Sequence, residues 1–392
     1  MIITDTEKIN EVLTRGVESV IDKDKITKKL KSGKTLRIKH GIDPTSPNIH
    51  LGRSIPLLKL RDFQNLGHKI ILIIGDFTGV IGDTSDKESE RPMLSEKQVK
   101  ENMKSYAKQA GKILNLRKAK IYYNSKWLGK LGYKEICMQA NAFSVSDFIS
   151  RENIKKRLDT GKRVSLREVV YPLMQGYDSV ATEADIEVGG TDQTFNILAG
   201  RELQRLYKQE PQDIVLNPLI EGLDGRKMSS SWGNTINLFD SPNDMYGKAM
   251  SLSDELIIKY FTFTTRVDLA TIEQYKKELE SGVNPRDIKK KLAFELTKFY
   301  HSEKEAQKAG EYWVNTFSKK EVPTEMQELK PSVNDIITVL IEAGFCPSRA
   351  EARRNIEQGG VKINQTEISD PKATVKVGDI IQKGKRFFVK IK

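Results

Sequence analysis

"KIILIIGD", residues 69–76, sets five successive apolar side chains before a glycine and an aspartate. A continuous run of that length, rich in β-branched residues, fits a strand buried on both faces, as in a parallel sheet. Just upstream, "TLRIKHGID" (residues 35–43) alternates in the manner of a second strand. Between the two, Leu51, Ile55 and Leu58 recur at spacings of four and three, and Gly67 supplies a helix stop. Strand, helix and strand within about 40 residues make a βαβ unit, and the expected fold class is α/β with a Rossmann-like doubly wound parallel sheet. Pro56 interrupts the helical stretch, so that helix either starts late, with Ser54 as its cap, or bends near its start.

Working outward, residues 1–32 read as a helical, charged lead-in. "LSEKQVKENMKSYAKQAGKIL" (94–114) is helical, with Ser95 a suitable N-cap. The stretch from Ile121 to Val170 mixes the short strand "KIYYNS" with helices, and "DIVLNPLI" (213–220) is a further buried strand. Residues 240–318 lack glycine-rich turns and read as helices; the breaker-rich "SKKEVPTEMQELKPS" (318–332) follows. The expected organisation is a catalytic domain over 1–238, a helical domain over 239–320, a linker over 321–332 and a small α+β domain over 333–392.

The chain has 392 residues, enough for two or three domains with real cores. Its 65 basic and 53 acidic side chains leave a formal charge of +12. That excess suits a polyanionic partner, nucleic acid or a phosphorylated ligand, although it also serves solubility. Cys137 and Cys346 are too few and too far apart for a disulfide framework or a cysteine zinc site. The start lacks the apolar core of a secretory signal, and no segment approaches the roughly 20 apolar residues needed to span a bilayer. The expectation is a soluble, cytoplasmic protein.

Five stretches carry chemistry. "DPTSPNIHLGR" (43–53) is a loop after a parallel strand that enters a helix, where free N–H groups and the helix dipole favour phosphate. There Gly52 permits close approach, and His50 donates a hydrogen bond without a permanent charge. "GDFTGVIGDTSDKESERP" (75–92) follows the buried strand, where α/β sheets bind ligands. Its Asp83 suits an ammonium, and Lys87 and Arg91 suit a polyphosphate; for the charges alone, a solvated surface loop is the plainer alternative. In "YPLMQGYDS" (171–179), Tyr171, Gln175 and Asp178 share one helix face, as a pocket for a small polar molecule requires. "VGGTDQTFN" (188–196) places Asp192 and Gln193 at a helix entry, suited to a ribose and a carboxylate. "DGRKMSSSWGN" (224–234) combines Lys227 with three serines in a glycine-flanked loop, again suited to phosphates.

Together and in this order, the motifs resemble those of class I aminoacyl-tRNA synthetases, specifically the bacterial-type tyrosyl branch. "HLGR" stands where that family carries HIGH, and "KMSSS" where it carries KMSKS. "YPLMQGYDS", "GGTDQTFN" and "GDFTGVIGD" match the tyrosyl branch. The resemblance implies activation of L-tyrosine by ATP, with Mg²⁺ accompanying the phosphates, and transfer of the tyrosyl group to the 3′ end of tRNA(Tyr). No covalent enzyme intermediate, tightly bound cofactor, structural metal or membrane is implied. Positioning and charge stabilisation then carry the catalysis. By motif, Thr45 and His50 bind the γ-phosphate side of ATP, with Lys87, Arg91, Lys227 and Ser230 around the leaving pyrophosphate. Gly52, Arg53, Gly190, Asp192, Met228 and Ser229 complete the ATP site. Gly41, Asp43, Thr78, Asp83, Tyr171 and Gln175 surround the tyrosine, Gln193 takes its carboxyl end, and Asp178 accepts its phenolic hydroxyl. Phenylalanine leaves such an acceptor unpaired, a rejection for which this family is the standard example.

Three positions depart from the family pattern: Arg53 replaces the second histidine of HIGH, Ser230 the second lysine of KMSKS, and Lys39 a tyrosine that assists at the substrate hydroxyl. At the C-terminus, "SRAEARRNIEQGGVKIN" and "VKVGDIIQKGKRFFVKI" resemble the RNA-binding domain of ribosomal protein S-four. Eleven basic and seven acidic residues lie from Pro331 onward, with Arg349, Arg353 and Arg354 on a helix capped by Ser348. The resemblance also implies a homodimer, with its interface in an insertion at about 125–170. A tryptophanyl-type enzyme, an inactive RNA-binding relative and a small-molecule adenylyltransferase are the alternatives.

Overall fold

The computed structural model describes residues 2–83, 93–318, 326–384 and 387–392. Six strands form the main sheet: β1 (Ser19–Ile21), β2 (Arg37–Ile42), β3 (Lys69–Ile74), β4 (Ala119–Tyr123), β5 (Ile186–Gly190) and β6 (Asp213–Asn217). Their order is β1-β6-β5-β2-β3-β4. All neighbours run parallel except β1, an antiparallel edge. From β2 the chain steps one way through β3 and β4, then returns to build β5 and β6 on the other side. The reversal between β2 and β5 is where such a sheet offers a crevice. These two strands pair only at Ile38↔Ile186 and Lys39↔Glu187, so their C-terminal halves part and open it.

In β3, Ile70 to Ile74 are all buried, the signature of a strand covered on both faces. The helix between β2 and β3 spans Leu51–Asn65, with Gly67 in the left-handed region just beyond its end. Its cap is His50, not Ser54. Backbone bonds from Leu51 N–H to the Ile236 carbonyl (2.8 Å) and from Leu238 N–H to the Ile49 carbonyl (2.9 Å) hold residues 49–51 extended, so the helix begins immediately after them. Pro56 lies inside the helix; Ser54, one turn in, returns its hydroxyl to the Leu51 carbonyl (2.7 Å).

The lead-in is two helices, Thr6–Thr14 and Lys23–Lys31, with β1 between them where only helix was expected. The stretch after Ser95, which carries a capping box with Gln98, breaks into Glu96–Met103 and Tyr106–Ala110 rather than forming one helix. Helices Pro242–Met250, Ile257–Thr264, Leu269–Glu280, Pro285–Tyr300 and Glu303–Trp313 follow the sheet. They share one hydrophobic core with it: Met245, Phe261, Leu292 and Leu296 belong to the same buried cluster as Ile38 and Leu58.

The C-terminal unit has its own core around Ile336, Leu340, Ile356, Val361 and Val389. Its sheet has the order β7-β11-β10-β8-β9, from β7 (Gln327–Leu329), β8 (Val361–Ile363), β9 (Thr366–Ile368), β10 (Ile380–Lys383) and β11 (Phe387–Ile391). β7 falls inside the stretch read as linker and pairs parallel with β11. Among the described residues no helix is long and apolar enough to cross a membrane.

Candidate active site

A cleft of about 390 Å³ opens over the C-terminal ends of β2, β3 and β5. At one end, His50 caps the Leu51–Asn65 helix with its ring Nδ1 accepting the Arg53 N–H (3.4 Å), which leaves Nε2–H as the donor. Burial, then the charges of Arg53 and Lys227, push the His50 pKa down to about 3, so the ring is neutral at physiological pH. Arg53 spreads its fork over the preceding loop: Nη1 donates to the Asp43 carbonyl (2.9 Å) and the Tyr106 hydroxyl (3.2 Å), and Nη2 to Thr45 Oγ1 (2.7 Å). Gly52 N–H, a first-turn donor with no partner inside the helix, points at Met228 Sδ (3.3 Å).

The loop bearing Lys227 and the serines faces this helix start. Asn234 shapes it, accepting the Ser229 N–H (2.8 Å) and donating to Asp224 (2.6 Å) and the Lys227 carbonyl (3.1 Å). Lys227 Nζ reaches across to Asp192 Oδ2 (2.8 Å), and Ser230 Oγ meets Ser46 Oγ (3.2 Å), so both loops close over one space.

The other end is a network of buried side chains. Asp43 receives Thr78 Oγ1 on one oxygen (2.7 Å) and the Tyr171 hydroxyl on the other (2.7 Å). A Cβ on Gly75 would stand 2.0 Å from Asp43 Oδ1 and 2.2 Å from Thr78 Oγ1, so only glycine fits there. Burial pushes Asp43 up to about 6, with Tyr171 and Thr78 opposing and the charge of Asp83 assisting. Asn124 Nδ2 donates to Thr78 Oγ1 (2.9 Å) and to Asp178 Oδ2 (3.3 Å), and Trp127 Nε1 to Asp178 Oδ1 (2.7 Å). Burial raises the Asp178 pKa to about 7 against the pull of Lys39, Trp127 and Asn124. Gln193 Nε2 donates to Asp83 Oδ2 (2.8 Å).

The cleft collects the expected site residues that are described. Gly41, Asp43, Thr78, Asp83, Tyr171, Gln175, Asp178 and Gln193 line it together with Thr45, His50, Gly52, Arg53, Gly190, Asp192, Lys227, Met228, Ser229 and Ser230. Lys87 and Arg91 lie outside the described residues. Tyr171, Gln175 and Asp178 share a face of the Leu166–Thr182 helix, whose Ser165–Glu168 capping box fixes its start. Lys39 sits beneath the floor, with Nζ on Ser179 Oγ (2.6 Å), Glu187 Oε1 (2.9 Å) and the Gln175 carbonyl (3.4 Å). Asn124 and Trp127 were not anticipated. Asn124 follows the C-terminal end of β4, a position that marks ligand-facing residues in such sheets; Trp127 carries no comparable signal. Arg349, Arg353 and Arg354 stand exposed on the Arg349–Glu357 helix, with Ser348 Oγ accepting the Glu351 N–H.

A mostly parallel α/β sheet with a polar cleft at its strand reversal defines a Rossmann-type protein with its ligand site in the expected crevice. The family profile for tRNA synthetases class I (W and Y) matches residues 31–318, and that for the S4 domain matches residues 336–381. The chain belongs to the class I tRNA synthetases of this W and Y family. It is 43% identical over 386 residues to the tyrosine–tRNA ligase of Thermotoga maritima, covering 97% of this chain and 96% of that one. The tyrosine–tRNA ligase of Haemophilus ducreyi is 44% identical over 388 residues, covering 98% of each. Among solved structures, a truncated mitochondrial tyrosyl-tRNA synthetase of Aspergillus nidulans aligns with a TM-score of 0.68 at 21% identity, over 79% of this chain and 94% of that one. The Archaeoglobus fulgidus tyrosyl-tRNA synthetase complexed with L-tyrosine gives 0.63 at 23%, over 78% and 99%. At these identities the structures speak for the fold alone.

Proposed function

We propose that this chain is a tyrosine–tRNA ligase, which activates L-tyrosine with ATP and transfers the tyrosyl group to the 3′ end of tRNA(Tyr). The observation that carries the choice of amino acid is Asp178. It is a buried carboxylate at the closed end of the cleft, with each oxygen already held by one N–H, from Trp127 or Asn124. Its remaining lone pairs suit a phenolic O–H and are left unpaired by phenylalanine. Asp43, Thr78, Asp83, Tyr171 and Gln175 take the ammonium side, and Gln193 the carboxylate.

With the substrate so placed, a tyrosine carboxylate oxygen attacks the α-phosphorus of ATP. The bond to the bridging oxygen breaks, and pyrophosphate leaves. A ribose hydroxyl of the tRNA then attacks the tyrosyl carbonyl, and AMP departs. Lys227 and neutral His50 supply charge and a hydrogen bond to the phosphates, with Thr45 and Ser230 beside them; Lys87 and Arg91 join this group by motif. Gly52, Gly190 and Asp192 receive the adenosine. Mg²⁺ enters with ATP as part of the substrate.

The basic helix bearing Arg349, Arg353 and Arg354 is the RNA-binding surface of this reading, and the cytoplasm its setting. A homodimer belongs to it too: Tyr133, Val145 and Leu166, in the insertion at about 125–170, are strongly exposed large apolar side chains. Sedimentation at micromolar concentration is expected to give a dimer; a monomer there rejects this part. The principal test is ATP–pyrophosphate exchange. Tyrosine-dependent exchange that tryptophan and phenylalanine do not support is the expected result. Exchange with tryptophan, or none with any amino acid, would overturn the assignment.

A further inference from the structure

The guanidinium of Arg53 is held entirely by neutral acceptors: the Asp43 carbonyl, Thr45 Oγ1 and the Tyr106 hydroxyl. It forms no ion pair with a carboxylate among the described residues. Lys227, the other cation among the described residues that line the cleft, is paired with Asp192 at 2.8 Å. Arg53 therefore brings a fixed charge to the phosphate end that no described carboxylate touches; the Asp43 carboxylate acts on it only through space. Its Nε–H and one Nη2 hydrogen remain over once these bonds are made, a fork that suits phosphoryl oxygens.

A chain of contacts carries the same residue's influence to the facing loop. Tyr106, which Arg53 holds, donates to the Ser46 carbonyl (2.7 Å), and Ser46 Oγ meets Ser230 Oγ (3.2 Å). A lysine at position 230 would bring a second cation toward Arg53 across this contact, and before ATP arrives the two would repel. A serine lets the loop rest against Ser46 without that repulsion.

We infer that Arg53 and Ser230 are a coupled pair, in which Arg53 supplies from the helix side the phosphate-binding charge that position 230 lacks, and holds the 43–46 segment on which the 227–231 loop docks. Arg53 is thus both a ligand for the phosphates and a positioning residue for the loop. The inference rests on the ATP-dependent reading above but not on the identity of the amino acid.

The test is a double-mutant cycle with Arg53→Gln, Arg53→Lys, Ser230→Lys and the Arg53→Gln/Ser230→Lys double variant. Each is read by the KM for ATP and kcat in exchange, and by ATP binding with no amino acid present. Tyrosine affinity without ATP serves as the control for folding. Arg53→Gln is expected to weaken ATP about tenfold or more, the loss of a charge-assisted contact, with tyrosine affinity kept. Arg53→Lys should recover most of the ATP affinity but not kcat, because the charge returns without the fork. Ser230→Lys should restore ATP affinity in the Arg53→Gln background and give no gain in the wild type. An Arg53→Gln protein with wild-type ATP binding would overturn the pairing, as would an equal effect of Ser230→Lys in both backgrounds. Absence of tyrosine-dependent exchange in the wild type would instead sink the tyrosine reading, while ATP titration alone still decides the role of Arg53.

Discussion

The two ends of the cleft are built on different principles. At the closed end, Asp43, Thr78, Tyr171, Asn124, Trp127 and Asp178 are joined in one network whose members come from the segments just after β2, β3 and β4 and from the Leu166–Thr182 helix. At the end proposed for the phosphates, Arg53 ties the 43–46 segment to its own helix start, and the facing 227–231 loop meets the rest of the cleft through Gly52–Met228, Ser46–Ser230 and Lys227–Asp192. Recognition of a small rigid molecule calls for the first arrangement, since an unmet buried polar group is costly. Handling a triphosphate whose charge moves during reaction calls for the second, with donors supplied by a loop. In the proposed reading, specificity falls to the packed network and the phosphates to the two facing loops.

The sharpest way to break this contrast is Asp178→Asn. It removes a charged acceptor and turns an amide N–H₂ toward Trp127 or Asn124, so kcat/KM for tyrosine should fall by about 10³-fold. A loss confined to ATP kinetics would contradict the division. Lys227→Ala should lower the rate of adenylate formation by about 10²-fold in single-turnover measurements while equilibrium tyrosine binding holds. Gly75→Ala forces a methyl into the Asp43–Thr78 contact, at a cost of about 1–3 kcal/mol of stability measured by urea unfolding and a tyrosine KM raised about tenfold.

Titration sharpens the same point. Asp178 has its pKa raised from the ordinary 3.8 to about 7, chiefly by burial. Phenol binding asks for the carboxylate, so calorimetric tyrosine affinity should drop about fivefold between pH 7 and pH 6, and flatten in Asp178→Asn. Stability of the empty enzyme should run the opposite way. The folded state binds the proton more tightly than the unfolded chain, so this group's contribution is fully present below about pH 4 and is lost as pH rises through about 7. The smallest effect is expected at the far end of the chain. Arg353→Ala should raise the KM for tRNA about threefold and flatten its salt dependence, as loss of one phosphate contact does.

The sequence was most legible where a run or a spacing belongs to one element. The apolar run of β3 and the helical spacing of Tyr171, Gln175 and Asp178 each needed only local periodicity. What stayed hidden depends on partners distant in the chain. β1 is three residues long and owes its extension to pairing with β6. The helix start at Leu51 is set by backbone bonds to residues 236–238, which overrule the signal of Ser54. Asn124 and Trp127 reach Asp178 only because β4 lies beside β3. The position of Lys39 was noticed, but its burial beneath the floor follows from register across the strand reversal.

That register has an outcome for anyone seeking to retune the enzyme toward unnatural amino acids. Lys39 and Glu187 face each other where β2 and β5 last touch, and Ser179 and Gln212 are tied to the same carboxylate. Enlarging the cavity by trimming one member strands a charge in a dry interior, so tolerant variants must exchange this foundation as a set. Libraries that vary only the walls are therefore expected to saturate early, whereas those that randomise all four positions jointly open the larger territory.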